Sequence, residues 1–96
     1  MPQLISGWTA IGKEPRPVEP PDMDRYEACT RHFRDCARRR SGVSPLSLSR
    51  AIFGSEQYAQ QAVARDYILW FEERGFLEQA AQRKWQFYPI TEKIYV

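Results

Sequence analysis

The sequence lacks long hydrophobic runs and has few residues of the kinds that build metal centres. No apolar stretch approaches the roughly 18 residues needed to cross a bilayer, and the N-terminus lacks the basic and apolar regions of a signal peptide. We therefore expect a cytoplasmic protein without membrane contact. The 96 residues include two cysteines and one histidine, too few for a common zinc site. The sequence predicts no metal and no cofactor.

The scarce nucleophiles and bases do not form a catalytic pattern. Cys29 and Cys36 would lie on one face of a shared helix, about 10 Å apart along its axis, which is too far for a disulfide. We expect both to be small core residues in a reducing compartment. His32 is predicted to be a solvated histidine on an arginine-rich helix face, without a nucleophile beside it. We therefore expect that the protein is not an enzyme.

Charge is distributed unevenly although the net charge is only +2. Residues 23–54 carry seven basic and three acidic side chains, whereas residues 1–22 and 55–96 each have a net charge of −1. A positive central segment indicates a partner with phosphates, but a net charge this small is a weak indication. The chain length fits a single domain.

A proline-rich segment divides the N-terminus from the rest of the chain. Residues 12–22 hold four of the seven prolines and show almost no apolar periodicity. Because proline fixes φ and removes a backbone donor, we predict an extended arm over residues 1–21 and a folded domain over residues 22–96. The apolar stretch at residues 4–11 is suited to docking on this domain, on a second subunit or on a partner protein.

The domain is predicted to begin with a helix. Apolar residues recur at three- and four-residue spacing over residues 23–37, with Asp22 as the N-cap and Gly42 as the stop. The opposite face is expected to be basic. Its arginines are Arg25, Arg31, Arg34, Arg38, Arg39 and Arg40.

Two further helices are predicted from their capping signals. Ser44 followed by Pro45 begins a short second helix that ends at Gly54. Ser55 is expected to cap a third helix, with an acidic residue in its first turn, which continues to Arg74. Apolar side chains concentrate in the second half of this helix, so we expect that half to anchor it in the core.

After Gly75 the pattern becomes strand-like. Residues 76–79 and 84–88 are predicted to form a β-hairpin. Its loop is expected to have three to five residues, because no glycine or asparagine specifies a tight turn. Pro89 should close the second strand, and residues 92–96 are expected to extend as another short strand.

This order of elements resembles the winged helix-turn-helix superfamily of DNA-binding regulators. The resemblance covers residues 23–91 and rests on "RDYILWFEERGFLE" at residues 65–78 and on "FYPIT" at residues 87–91. It implies an α+β fold with a three-helix core and a C-terminal β-hairpin wing. Residues 54–66 are about one helical turn longer than usual in this family, so either the third helix or the turn before it is extended.

The resemblance implies binding of double-stranded DNA, with the third helix in the major groove and the hairpin on the backbone or in the minor groove. A small transcription regulator or architectural factor of this kind, common in phages and mobile elements, would be nucleoid-associated. We expect a homodimer, formed through the N-terminal arm or the C-terminal strand. The predicted DNA-contact residues are Ser44, Ser47, Arg50, Gln57, Tyr58, Gln60, Gln61, Arg65, Arg83 and Lys84, together with Arg38, Arg39 and Arg40 at the end of the first helix.

Two alternatives remain open at this point. The same fold also serves as an adaptor or inhibitor that binds protein and no nucleic acid, and the acidic groups around the third helix and the aromatic wing favour that function. The N-terminal arm or the wing would then contact the partner. The run Arg38–Arg40 is equally well explained as a helix ending, because cations there complement the helix dipole.

Overall fold

The computed structural model of the protein describes residues 19–94, so the predicted arm up to residue 18 lies outside the described residues. Within the described range the chain is α+β, with a two-stranded antiparallel hairpin after three helices. This arrangement is compatible with a winged helix. The elements are α1 (Met23–Arg39), α2 (Pro45–Phe53), α3 (Tyr58–Glu73), β1 (Leu77–Gln79), β2 (Phe87–Pro89) and α4 (Thr91–Ile94). None of these helices is long and apolar enough to cross a membrane.

α1 begins at the predicted N-cap, but its C-cap is not the predicted residue. The Asp22 carboxylate accepts a hydrogen bond from the Arg25 backbone N–H at 2.8 Å, which satisfies a donor left free at the helix start. At the other end Arg40 adopts the left-handed conformation, with φ 56°, so the prediction that Gly42 stops α1 is wrong. A Cβ at Gly42 would overlap the side chain of Gln86. A larger residue at this position would have to displace the Gln86 side chain.

The inner face of α1 is shorter than its apolar periodicity suggests. Cys29, Phe33 and Cys36 are buried, and both cysteines are free thiols, as predicted. Met23 is 72% exposed, because the apolar stripe continues past the end of the core. Arg25 does not belong to the solvated arginine face, since it is half-buried and its guanidinium lies 4.6 Å from the centre of the Phe53 ring.

α2 has the predicted ends. The Ser44 hydroxyl accepts from the Ser47 backbone N–H at 3.1 Å, and the Ser47 hydroxyl accepts from the Ser44 N–H at 3.0 Å, which forms a capping box. Pro45 occupies the first helical turn, and Gly54 ends the helix with φ 65°. Because the residues that form each end of α2 lie within a few positions of one another, the sequence alone specifies where this helix begins and ends.

α3 begins later than predicted. Its N-cap is Gln57, whose side chain makes no capping hydrogen bond, so the prediction that Ser55 caps this helix is wrong. The Ser55 hydroxyl instead accepts from the Gln57 N–H at 3.1 Å. The amide of Gln61 donates to the Glu56 carbonyl at 2.7 Å. Residues 54–57 therefore connect α2 to α3.

The hairpin follows α3 at Gly75, which has φ 83°. Leu77 pairs with Pro89 in an antiparallel register, and Pro89 ends β2 as predicted. Because β2 begins only at Phe87, the connecting loop covers residues 80–86 and exceeds the predicted three to five residues. The hairpin loop, as we call residues 80–86, therefore includes Lys84 and Trp85, which were predicted to lie in the strand.

Two contacts fix the hairpin and the C-terminal end of the described chain. The N–H of Val43 donates to the Phe87 carbonyl at 2.7 Å, and the N–H of Phe87 donates to the Val43 carbonyl at 2.8 Å. This bridge fastens β2 to the turn between α1 and α2. Beyond β2 the backbone N–H of Lys93 donates to the Ile90 carbonyl at 2.9 Å. This turn belongs to α4, so the predicted strand over residues 92–96 is wrong for residues 92–94.

We expect Gly75→Ala to lower the free energy of unfolding by about 1–2 kcal/mol, because an L side chain is strained in the left-handed region. A Cβ at this position would meet only the Lys93 side chain, at 3.7 Å, so the loss would come from the backbone and not from a clash. Urea denaturation monitored by circular dichroism measures the difference. Gly75→Asn should lose less, since asparagine tolerates this conformation, and equal losses for both variants would contradict this explanation.

Candidate nucleic-acid interface

A groove of about 270 Å³ lies between the N-terminal ends of α2 and α3 and the hairpin loop. We call it the interface groove. It brings together Ser44, Tyr58, Gln61 and Arg65, which the sequence predicted to contact one ligand from separate elements. No acidic side chain of the described residues lines it. The lining residues are Ser44, Pro45, Leu46, Tyr58, Gln61, Ala62, Arg65 and Trp85.

Arg65 and Trp85 join α3 to the hairpin loop. The Arg65 guanidinium lies 5.5 Å from the centre of the Trp85 ring, within the range of a cation–π interaction. Trp85 also packs against the hydrophobic core. Trp85 was not predicted as a site residue because its position was assigned to the second strand. Its position directly after Arg83 and Lys84, at a basic loop tip, is the signal that could have identified it.

The glutamines at the start of α3 differ in where their amides lie. Gln57 is exposed and does not cap the helix. Gln61 uses its amide nitrogen for the Glu56 carbonyl, so its amide oxygen remains available as an acceptor. Gln60 is half-buried, and its Oε1 is buried without a hydrogen-bond partner. The Gln60 oxygen therefore lies inside the protein, where it is not available to a base edge, although Gln60 was predicted to contact DNA.

Ser47 is engaged within the protein and is less available than predicted. Its hydroxyl takes part in the capping box and lies 3.1 Å from Nε2 of His32. His32 is therefore half-buried between α1 and α2, and the prediction of a solvated surface histidine is wrong. The apolar packing between these helices draws the ring inward.

The surroundings of His32 also bring a thiol and a hydroxyl together. The Sγ of Cys36 lies 3.5 Å from Nε2 of His32. Burial raises the pKa of the Cys36 thiol, which keeps it protonated and weakly nucleophilic. The Ser47 hydroxyl is occupied at the start of α2. These contacts have a structural explanation in joining α1 to α2.

Most of the arginines predicted to contact phosphate have partners within the protein. Arg38 and Arg39 both pair with Asp35, and their hydrogen bonds and charges hold the pKa of its carboxyl below the usual range. Arg50 pairs with Glu56. These pairs are exposed, and exposed ion pairs are weak, so a phosphate can compete for the same guanidinium groups.

The tip of the hairpin loop carries two exposed cations. Arg83 donates to the Gln86 side-chain oxygen at 3.1 Å, a neutral partner that leaves its charge uncompensated. Lys84 follows it directly and is exposed. Arg40, at the end of α1, is exposed as well. Within residues 19–94, no group of three or more His, Cys, Asp or Glu side chains is placed to hold a metal ion.

Comparison with protein-family models, with curated proteins and with solved structures finds no match for the chain. A proposal for the function therefore depends on the chemistry of this surface. What the surface offers chemically is a groove with aromatic, amide and cationic groups. Such groups are suited to a ligand that combines negative charge with hydrogen-bonding ring edges.

We expect the stability of the protein to decrease as the pH falls below about 6.5, because burial lowers the pKa of His32 from its ordinary value of 6.5. The Asp35 carboxylate raises this pKa and Arg39 lowers it, but burial is the larger cause. Between the ordinary and the lowered pKa the unfolded chain binds more protons than the folded one, so stability is lost as pH falls through that window.

The measurement is the free energy of unfolding in urea between about pH 7 and pH 5, compared with His32→Gln. His32 is the only histidine of the sequence, so the variant should be nearly independent of pH in this window while its glutamine can still bond Ser47. The same slope in both proteins would contradict the assignment of this pH dependence to His32.

Proposed function

We propose that the protein binds double-stranded DNA, with the first half of α3 in the major groove and the hairpin loop on the neighbouring backbone. The observation that carries the proposal is the interface groove, where α2, α3 and the hairpin loop meet and where none of residues 19–94 contributes an acidic side chain to the lining. A ligand that spans this groove contacts α3 and the loop together. In this proposal the fold is a winged helix and the hairpin is its wing.

The dimensions of α3 suit the major groove of B-DNA. An α-helix with its side chains is about 10–12 Å in diameter, and the major groove, about 12 Å wide, admits a helix of that size. Tyr58 at the start of α3 is 81% exposed, so this end projects from the domain. The second half of the helix is held in the core through Ile68 and Phe71, which are fully buried.

The side chains around the groove take separate roles in the proposal. Gln57 and the free amide oxygen of Gln61 contact base edges. Arg83 and Lys84 hold phosphates on one side, and the N-terminus of α2 at Ser44 faces a phosphate on the other, where the helix dipole favours negative charge. These roles fit a small regulator or architectural factor that acts as a homodimer at the nucleoid.

A protein partner is the second candidate function, and two observations favour it. Tyr58 and Tyr88 are aromatic side chains exposed to 81% and 45%, and exposed tyrosines are common at protein interfaces. The C-terminal half of α3 is acidic, with Glu73 exposed. In this alternative the protein would be an adaptor or inhibitor that does not bind DNA.

We expect the full chain to bind mixed-sequence duplex DNA with an affinity that falls steeply with salt, because the phosphate contacts release counterions. Arg83→Ala combined with Lys84→Ala should weaken binding and make the slope of log K against log salt shallower by about two, close to the loss of two phosphate contacts. Fluorescence anisotropy of labelled duplexes at two or more salt concentrations measures both quantities.

Lys93→Ala is the control for loss of a single charge, because Lys93 is exposed on α4 and lies outside both the hairpin loop and the interface groove. This variant should keep nearly the full salt slope. If the parent chain binds no duplex even at low salt, the DNA proposal fails and the protein-partner candidate takes its place. An equal loss in the control and in the double variant would remove the hairpin loop from the contact surface.

A further inference from the structure

The first two turns of α3 carry no charged side chain. Residues 58–64 read "YAQQAVA", and Tyr58, Ala59 and Val63 are exposed. The first charged residue of the helix, Arg65, is directed toward the Trp85 ring of the hairpin loop. The first two turns of α3 therefore present apolar groups and amides to the interface groove, and Arg65 is the one cation of α3 that lines it.

This composition limits which bases the helix can distinguish. Guanine is read mainly by paired donors from Arg or Lys, and the amino group of cytosine is read by Asp or Glu. Neither kind of side chain occurs at residues 58–64. The next acidic residue, Asp66, interacts within the protein. Arg65 is the one side chain among the described groove-lining residues that could bind guanine, and its guanidinium lies against the Trp85 ring, so the first two turns of α3 themselves have little means of selecting a G·C pair.

The same surface suits an A·T pair. In the major groove, thymine presents a C5-methyl group, which apolar side chains contact, and adenine presents an acceptor and a donor that one amide can bind together. Tyr58 and Ala59 both neighbour Ala62 on the surface of α3, because they lie four and three positions before it; Tyr58 and Ala62 line the interface groove, and Ala59 is exposed beside them. Gln57 is exposed just before them.

We propose that α3 selects A·T-rich duplex by contacts of Tyr58, Ala59 and Ala62 with thymine methyl groups and of Gln57 with adenine. This inference rests on the proposed DNA binding and extends it to the class of sequence that is bound. In this proposal the phosphate contacts of the hairpin loop supply the affinity, and the base contacts of α3 supply the selectivity. Salt weakens the phosphate contacts of the hairpin loop, whereas apolar contacts with methyl groups are insensitive to salt, so the preference for A·T is retained as affinity falls.

The first experiment selects bound duplexes from a random pool with the full chain and then removes single methyl groups. In a selected duplex, each thymine in turn is replaced by deoxyuridine, which lacks only the C5-methyl group. We expect enrichment of A·T pairs, and about a fourfold weaker affinity for each methyl group that α3 contacts, from the free energy of burying one such group. Deoxyuridine at flanking positions should have no effect.

The second experiment pairs the DNA change with a protein change. Tyr58→Ala should weaken binding to the thymine duplex and abolish the difference between thymine and deoxyuridine at the position that Tyr58 contacts. Met23→Ala is the control, because Met23 is also an exposed apolar residue, at 72%, but starts α1 and does not line the interface groove. This control should retain the full difference. Circular dichroism verifies that both variants are folded.

Each outcome decides between defined alternatives. Enrichment of A·T with a loss on methyl removal that depends on Tyr58 supports the inference. Binding with G·C enrichment, with no effect of deoxyuridine, or with an effect that Tyr58→Ala leaves unchanged, overturns the inference while DNA binding itself stands. Failure of the parent chain to bind any duplex at low salt overturns the proposed function.

Discussion

The packing of the Phe71 ring holds the helices and the hairpin in one arrangement. Phe71 is fully buried. It meets Phe33 of α1 at 4.9 Å between ring centres, Tyr26 at 5.4 Å and Phe76 before β1 at 5.3 Å. Each such aromatic pair contributes about 0.5–1.5 kcal/mol beyond the area that it buries. Because this cluster anchors the C-terminal half of α3, the direction in which its other half projects is set by the core.

The helix ends show which parts of the fold the sequence specifies locally. The caps at Asp22 and Ser44 and the stop at Gly54 were predicted because each depends on side chains within one turn of the helix. The start of α3 was not predicted correctly. The side-chain amide of Gln61, inside the helix, donates a hydrogen bond to the Glu56 carbonyl, and Ser55 lies outside the helix. The length of the hairpin loop was not predicted either, because it depends on where Trp85 packs, and no local sequence pattern indicates that position.

The residues of the candidate site also include some that the sequence predicted and some that only the structure shows. The resemblance predicted Tyr58, Gln61 and Arg65 as contact residues, and the interface groove contains all three. It did not distinguish them from Gln60, which lies about 100° around the helix axis from Gln61 and has its amide oxygen buried. Charge counts predicted a basic surface, but they did not show that Arg38 and Arg39 share the carboxylate of Asp35.

The paired backbone hydrogen bonds between Val43 and Phe87 connect segments that lie far apart in the chain. Val43 is fully buried, and both its N–H and its carbonyl are paired with Phe87. The backbone hydrogen bonds of the turn between α1 and α2 are therefore completed by the hairpin and not by the helices themselves. A change that displaced β2 would for this reason disturb the junction of α1 and α2 as well as the hairpin.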